Sequence, residues 1–327
     1  MELILIKNKN KRGFYMIDIT LLGTGGGMPT PERNLSAAIL NYKGRKILID
    51  CGEGTQVSMK ISKTGFKNID IICITHWHGD HIVGLPGLLA TMGNSGRKEP
   101  LTIIGPVGIG EIIKGLTVIV PYIPYELNVI EATKESLCFT INKENLLLSS
   151  KGEIIINTLE VEHSSPCIAY RFDVKRKPKF NLEKALDNKV PKVIWNLLQR
   201  GGNVEFEGNL YESSMVLGEE RKGIKFSFVT DTLPIPELIP FVKKSDLLIC
   251  ESNYGQDSDV DKAIKNKHMT FSQAAQIAKS GEVKELILTH FSPAIEDPEE
   301  FIHFAKDIFP KAQIGKDRMI ISIDFQN

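Results

Sequence analysis

The chain has 327 residues and equal numbers of acidic and basic side chains, so its formal net charge is zero. A hydrophobic content of 42% and a charged content of 24% are ordinary for a soluble globular protein, and the length suits one large domain or a domain with an insertion. Zero net charge excludes attraction of a polyanion by the field of the whole molecule, so any such attraction has to come from a local patch.

Five scattered cysteines (Cys51, Cys73, Cys138, Cys167 and Cys250) form no Cys-x-x-Cys pair. They read as reduced thiols, not as a disulfide frame or a thiolate zinc site. No signal peptide is legible and no apolar stretch is long enough to span a bilayer, so a cytoplasmic location is expected.

Residues 1–15 begin with a short apolar run followed by the basic stretch Lys7 to Arg12. They read as an N-terminal extension, either an extra edge strand or the result of an early start codon, with Met16 as the alternative start. Met16 to Leu22 reads as a strand, and Gly23-Thr-Gly-Gly-Gly27 follows it. The spacing does not match a dinucleotide loop: a third glycine is missing at Met28, and Pro29 and Pro31 block a helix opening there. A glycine loop passing close to a metal site fits better. Arg33 and Asn34 in the same loop are candidates for contact with a substrate phosphate.

Ser36 to Leu40 and Arg45 to Asp50 read as strands around a turn at residues 41–44, and a helix is expected from Gly52 to about Ser62. Ile71 to Ile74 reads as a buried strand, and further helices are expected over residues 81–90 and 107–116. Several strand-like runs fall between residues 122 and 161. Phe226 to Val229, Leu247 to Cys250, Leu286 to Leu288 and Met319 to Ile323 read as strands, interleaved with helices over 234–241, 271–279 and 298–308. Two mixed sheets covered by helices is the architecture this pattern suggests.

The chemistry concentrates in Thr75-His-Trp-His-Gly-Asp-His81, where three histidines and a carboxylate fall within six residues. Neutral imidazole and carboxylate suit zinc and its neighbours, so His76, His78, Asp80 and His81 read as metal ligands. His163, Asp231 and His290 each follow an apolar strand-like run, which is where an α/β fold gathers a site. Together with the opening cluster they complete the ligand set; His303 reads as a surface helix residue.

These residues resemble the ribonuclease Z family of the metallo-β-lactamase superfamily. The resemblance is carried by Leu22-Gly-Thr-Gly with Arg33-Asn34, Asp50-Cys-Gly-Glu-Gly-Thr-Gln56, His76-Trp-His-Gly-Asp-His81 with Gly84-Leu-Pro-Gly-Leu88, Gly105-Pro106, His163, Asp231-Thr232 and Leu288-Thr-His-Phe-Ser-Pro293, spanning residues 17–293. It implies an α/β metallo-β-lactamase αββα sandwich: two mixed sheets face to face, helices outside, and an inserted basic arm. It also implies a site for two zinc ions, manganese or another divalent metal being the alternative. His76, His78 and His163 would hold one ion, Asp80, His81 and His290 the other, with Asp231 bridging. The implied reaction is hydrolytic removal of 3′ trailers from precursor transfer RNA. Asp80 would orient the attacking water and His268, in His268-Met-Thr270, would act as the general acid.

The arm implied by the resemblance falls at Val174 to Arg200. It carries Lys175, Arg176, Lys177, Lys179, Lys184, Lys189, Lys192 and Arg200 against only Glu183 and Asp187. A phosphate backbone is the natural partner of such a patch. The resemblance also implies a homodimer. Three segments depart from the family pattern: Thr230-Asp-Thr232, Cys250-Glu-Ser-Asn253, and Met269 in place of a serine. A divergent phosphodiesterase, or a small-molecule ester hydrolase of the same fold, is therefore the second reading.

Overall fold

The computed structural model describes residues 5–6, 16–142 and 145–326. The chain divides into two compact units, 1–173 with 224–324 and 174–223 with 325–327.

Apart from residues 174–176 and 221–223, two eight-stranded sheets fall in the first unit. In spatial order, the first sheet comprises Leu5–Ile6, Ile320–Asp324, Met16–Gly23, Ala37–Tyr42, Arg45–Ile49, Ile69–Cys73, Leu101–Gly105 and Leu127–Glu131. Its strands are antiparallel from Ile320–Asp324 to Arg45–Ile49 and parallel beyond that point. The hairpin at Tyr42–Arg45 turns on Lys43 and Gly44, both at positive φ (52° and 79°), the two-residue turn that matches strand twist. Leu5–Ile6 pairs in parallel with Ile320–Ile321 at the sheet edge, whereas the basic stretch at 7–12 lies outside the described residues.

The second sheet comprises, in spatial order, Ala312–Ile314, Leu286–Thr289, Leu247–Glu251, Arg221–Val229, Cys167–Arg176, Ile154–Val161, Leu137–Ile141 and Leu146–Leu148. The expected list lacks Cys167–Arg176, because this strand starts directly after Pro166 and ends in the polar run Asp-Val-Lys-Arg.

Strand Ile69–Cys73 is buried at all five positions, as a strand covered on both faces must be. One face packs on helices: Ile39, Leu48, Ile72 and Ile103 share a core with Met59, Leu85, Leu89, Met92 and Ile109. The other face meets the second sheet, where the Tyr170 hydroxyl donates to Ile74 O (2.8 Å) and Ile104 O (3.0 Å). On the second sheet, Leu248, Cys250, Leu286 and Leu288 pack against helix residues Leu238, Phe271, Ala275 and Ala278. The order is therefore helix, sheet, sheet, helix, the αββα sandwich.

The second unit has its own apolar core. Ala185, Val190, Ile194, Leu198 and Val216 are buried, flanked by Phe180, Trp195, Val204 and Phe206. It contains short helices at Leu182–Asp187 and Trp195–Gln199 and a hairpin pairing Asn203–Phe206 with Asn209–Glu212. The segment 174–200, where the arm was expected, falls within this unit, which runs on to residue 223. The added segment carries Glu205, Glu207, Glu212, Glu219 and Glu220 against Arg221 and Lys222, so the basic character lies in the first half.

Candidate metal centre

Turns at strand ends bring the site together. Asp50, Thr75 to His81, His163, Asp231, Glu251 and His290 all lie at or just beyond the ends of strands in the two sheets. Asp50, Asp231 and His290 have φ of 56°, 50° and 58°. Left-handed backbone away from glycine costs on the order of 1–3 kcal/mol per residue and is concentrated at functional sites.

All seven predicted ligands converge. The candidate ligand atoms of His76, His78, His163 and Asp231 lie within 4.8 Å of one another, as do those of Asp80, His81, Asp231 and His290. Asp231 belongs to both groups and splits its oxygens between them. Oδ2 faces His76 Nε2 (3.5 Å) and His163 Nε2 (3.7 Å), whereas Oδ1 faces His81 Nε2 (3.4 Å) and His290 Nε2 (3.2 Å). Asp231 is thus the one residue common to both groups.

The donors fit a divalent cation. His76 Nε2 is buried and has no hydrogen-bond partner, and an orphaned imidazole nitrogen is costly unless an ion takes its lone pair. His78 Nδ1 and His163 Nε2 are 3.1 Å apart, as are His81 Nε2 and His290 Nε2. Behind the ligands, His81 Nδ1 meets Asp50 Oδ2 at 2.8 Å, the Thr75 hydroxyl lies 3.1 Å from His76 Nδ1, and His163 Nδ1 donates to Lys267 O at 3.2 Å. Such outer partners fix the tautomer and ring plane of ligating histidines.

Electrostatics agree with this fit. Burial, with His81 alongside, pushes His76 well below the ordinary histidine range, keeping it in the neutral ligand form. Burial alone would raise Asp80 and Asp231. The neighbouring histidines outweigh it and hold both carboxyls below the ordinary range, hence ionised. His81 behaves oppositely: burial opposes its charge, but Asp231 and Asp50 carry it well above the usual value. These carboxylates create a demand for positive charge at this point.

His268 lies beside these two groups and, with Glu251 and His290, makes a third set of mutually close donor atoms. Its Nδ1 is 3.1 Å from both oxygens of Glu251, whose carboxylate also accepts from Thr232 N–H (2.6 Å) and Met269 N–H (3.3 Å). Burial would lower the His268 pKa, but the Glu251 carboxylate raises it to about 9. The chain direction at His268 is set by the next helix, Phe271–Ser280, whose N-cap Thr270 forms a reciprocal capping box with Gln273. His268 lines a cavity of about 310 Å³ together with His78, Asp80, Asp231, Tyr254 and His290.

Arg33 and Asn34, expected to contact a substrate phosphate, have hydrogen-bond partners within the protein. Arg33 is buried, with Nη1 donating to Glu296 O (3.2 Å) and Nη2 to Ile295 O (2.5 Å). Asn34 Nδ2 donates to Ser58 Oγ at 2.8 Å. Both side chains hold loops inside the protein. Arg33→Ala should therefore lower the melting temperature, since two carbonyls losing their donors cost about 1–3 kcal/mol each. Wild-type melting with a raised KM for substrate would restore the phosphate role.

Among the arm residues, Lys175, Lys177, Lys179, Lys184, Lys189 and Lys192 are exposed. Lys184 Nζ donates to Leu217 O (3.2 Å), and Arg176 Nη1 donates to Gln326 O (2.6 Å). The sequence reading did not single out Asp50, Glu251 or Gly27 as site residues. For Asp50 and Glu251 the usable signal was a carboxylate directly after an apolar run, Ile47 to Ile49 and Leu247 to Cys250.

The chain is 64% identical over 310 residues to Ribonuclease Z of Clostridium novyi, covering 95% of this chain and 100% of that protein. Human tRNase Z, short form, is structurally similar with a TM-score of 0.65 and 26% identity, covering 95% of this chain and 100% of the human chain. The metallo-β-lactamase fold protein YhfI from Bacillus subtilis superimposes with a TM-score of 0.66 at 20% identity, covering 94% of this chain and 100% of YhfI. The family model described as Anti-Pycsar protein Apyc1 matches residues 17–110 alone.

Proposed function

The chain belongs to the ribonuclease Z family, and from that premise we propose a metal-dependent endoribonuclease that removes 3′ trailers from transfer-RNA precursors. The observation that carries the reading is Asp231 shared between two groups of imidazole and carboxylate donors, in a chain similar to Ribonuclease Z over nearly its whole length. His76, His78 and His163 would hold one ion and Asp80, His81 and His290 the other, with Asp231 between them. Nitrogen and carboxylate donors suit zinc, with manganese or another divalent metal as the alternative.

Bound divalent ions would supply Lewis-acid polarisation of the scissile phosphate and ready deprotonation of water. The protein's own groups do the rest. Asp80, ionised and held by the Gly27 N–H at 2.7 Å, orients the attacking water. The water oxygen bonds to phosphorus as the bond to the ribose 3′-oxygen breaks. His268, kept protonated by Glu251, gives that oxygen its proton. Transfer RNA keeps a 3′-hydroxyl and the trailer leaves with a 5′-phosphate.

His268→Ala tests this assignment. Cleavage of a transfer-RNA precursor should fall about 10²- to 10⁴-fold. Hydrolysis of bis(p-nitrophenyl) phosphate, whose leaving group needs no proton, should stay close to wild type. Equal losses on both substrates would remove His268 from the proton transfer.

The exposed lysines of the second unit, with Arg176 and Arg200, are assigned to the phosphate backbone of the same RNA, away from the chemistry. A homodimer is the assembly assigned by the same family reading. A cytoplasmic location suits the five free cysteines; among the described residues no helix is long and apolar enough to cross a membrane. A divergent phosphodiesterase or ester hydrolase that does not act on transfer RNA is not favoured, because the chain is 64% identical to Ribonuclease Z of Clostridium novyi over 310 residues.

A further inference from the structure

One carboxylate near the C-terminal end ties down the glycine loop beside the metal centre. Asp317 precedes strand Ile320–Asp324, and its side chain is 2% exposed. Its Oδ1 accepts from the Thr24 N–H (2.9 Å) and the Thr24 hydroxyl (2.8 Å), and its Oδ2 accepts from the Asn34 N–H (2.8 Å). Thr24 and Asn34 stand at the two ends of one loop, closed by the Gly25 N–H donating to Asn34 O at 2.9 Å. Arg318 Nη1 is 3.9 Å from Oδ2, so the closer partners of the carboxylate belong to the loop.

The same loop touches the metal donors. Gly27 N–H donates to Asp80 Oδ2 at 2.7 Å. Thr24 O accepts from Phe291 N–H (2.9 Å) and Gly26 N–H donates to Phe291 O (3.0 Å), clasping the residue that follows His290. Gly26 lies so close to the His290 ring that a Cβ there would fall 2.5 Å from it, which explains why this position has no side chain. Asp80 and His290 both belong to the second donor group.

We infer that Asp317 is a positioning residue for the second donor group, setting the glycine loop and, through Gly26 and Gly27, the placement of His290 and Asp80. The inference rests on the two-ion reading of the site. Asp317 also lines a cavity of about 470 Å³, so truncating it opens onto existing space and does not strain a close-packed core.

The test is calorimetric titration of metal-stripped, full-length protein with zinc, run beside thermal melting. Wild type should take up two equivalents. Asp317→Ala should retain the first with wild-type affinity and bind the second about 10- to 100-fold more weakly, the usual scale for losing an outer-shell partner. Asp317→Asn keeps one acceptor oxygen and should show a smaller loss of the same kind; it carries the test should the alanine variant not fold. Asp70→Asn is the control for destabilisation alone, because Asp70 is buried near the far end of its strand and paired with Arg45. It should lower the melting temperature without separating the two equivalents. Unchanged second-site affinity in the Asp317 variants, or equal weakening of both equivalents, overturns the inference and leaves the two-ion reading intact. Failure of the wild type to bind a second equivalent overturns both.

Discussion

Asp231→Asn should lose at least one equivalent of bound metal and cut transfer-RNA precursor at least about 1,000-fold more slowly, or about 4 kcal/mol of transition-state stabilisation. Asparagine is the informative replacement because Asp231 has φ 50°, a conformation asparagine tolerates and alanine resists. Volume and backbone are kept, while one oxygen becomes an N–H donor. Whichever oxygen is replaced, the new amide meets two imidazole nitrogens between 3.2 and 3.7 Å away that are poised as lone-pair donors. Metal content by mass spectrometry and single-turnover cleavage read the two effects separately. Full metal content with normal cleavage would show that Asp231 does not bridge.

Replacing Lys175, Lys177, Lys179 and Lys189 together by alanine should raise KM for precursor RNA about tenfold or more at moderate salt while leaving kcat almost unchanged. Each phosphate contact contributes about −0.7 to −0.9 to the slope of log affinity against log salt, so the slope should become shallower by roughly three. All four side chains are exposed and none belongs to the core of the second unit, so folding is spared. Hydrolysis of bis(p-nitrophenyl) phosphate should not change. An unaltered salt slope would move RNA binding off this unit.

The convergence of the candidate ligands was legible in the sequence because much of their chemistry is local. Three histidines and Asp80 are crowded into six residues, and His163, Asp231 and His290 each follow an apolar strand. The two sheets were legible for a similar reason, as buried parallel strands leave short apolar runs such as Ile71 to Ile74, which overlaps strand Ile69–Cys73. What stayed hidden depends on contacts distant in sequence. The Glu251–His268 pair spans 17 positions, and Arg33 finds its carbonyls some 262 residues away. An arginine in a loop looks solvent-facing until the fold shows a buried guanidinium. The second half of the second unit was missed because its hairpin strands, Asn203–Phe206 and Asn209–Glu212, have only 4 residues each, too few for an alternating pattern to stand out.

The measurement that bears most directly on the function is end-mapping of a transfer-RNA precursor carrying a 3′ trailer after incubation with the metal-loaded wild-type protein. A single cut just past the discriminator base is expected, with a 3′-hydroxyl on the transfer RNA and a 5′-phosphate on the trailer, and no cut with His78→Ala. An intact precursor in the presence of protein that hydrolyses bis(p-nitrophenyl) phosphate would contradict the assignment and leave a phosphodiesterase of the same fold acting on another substrate.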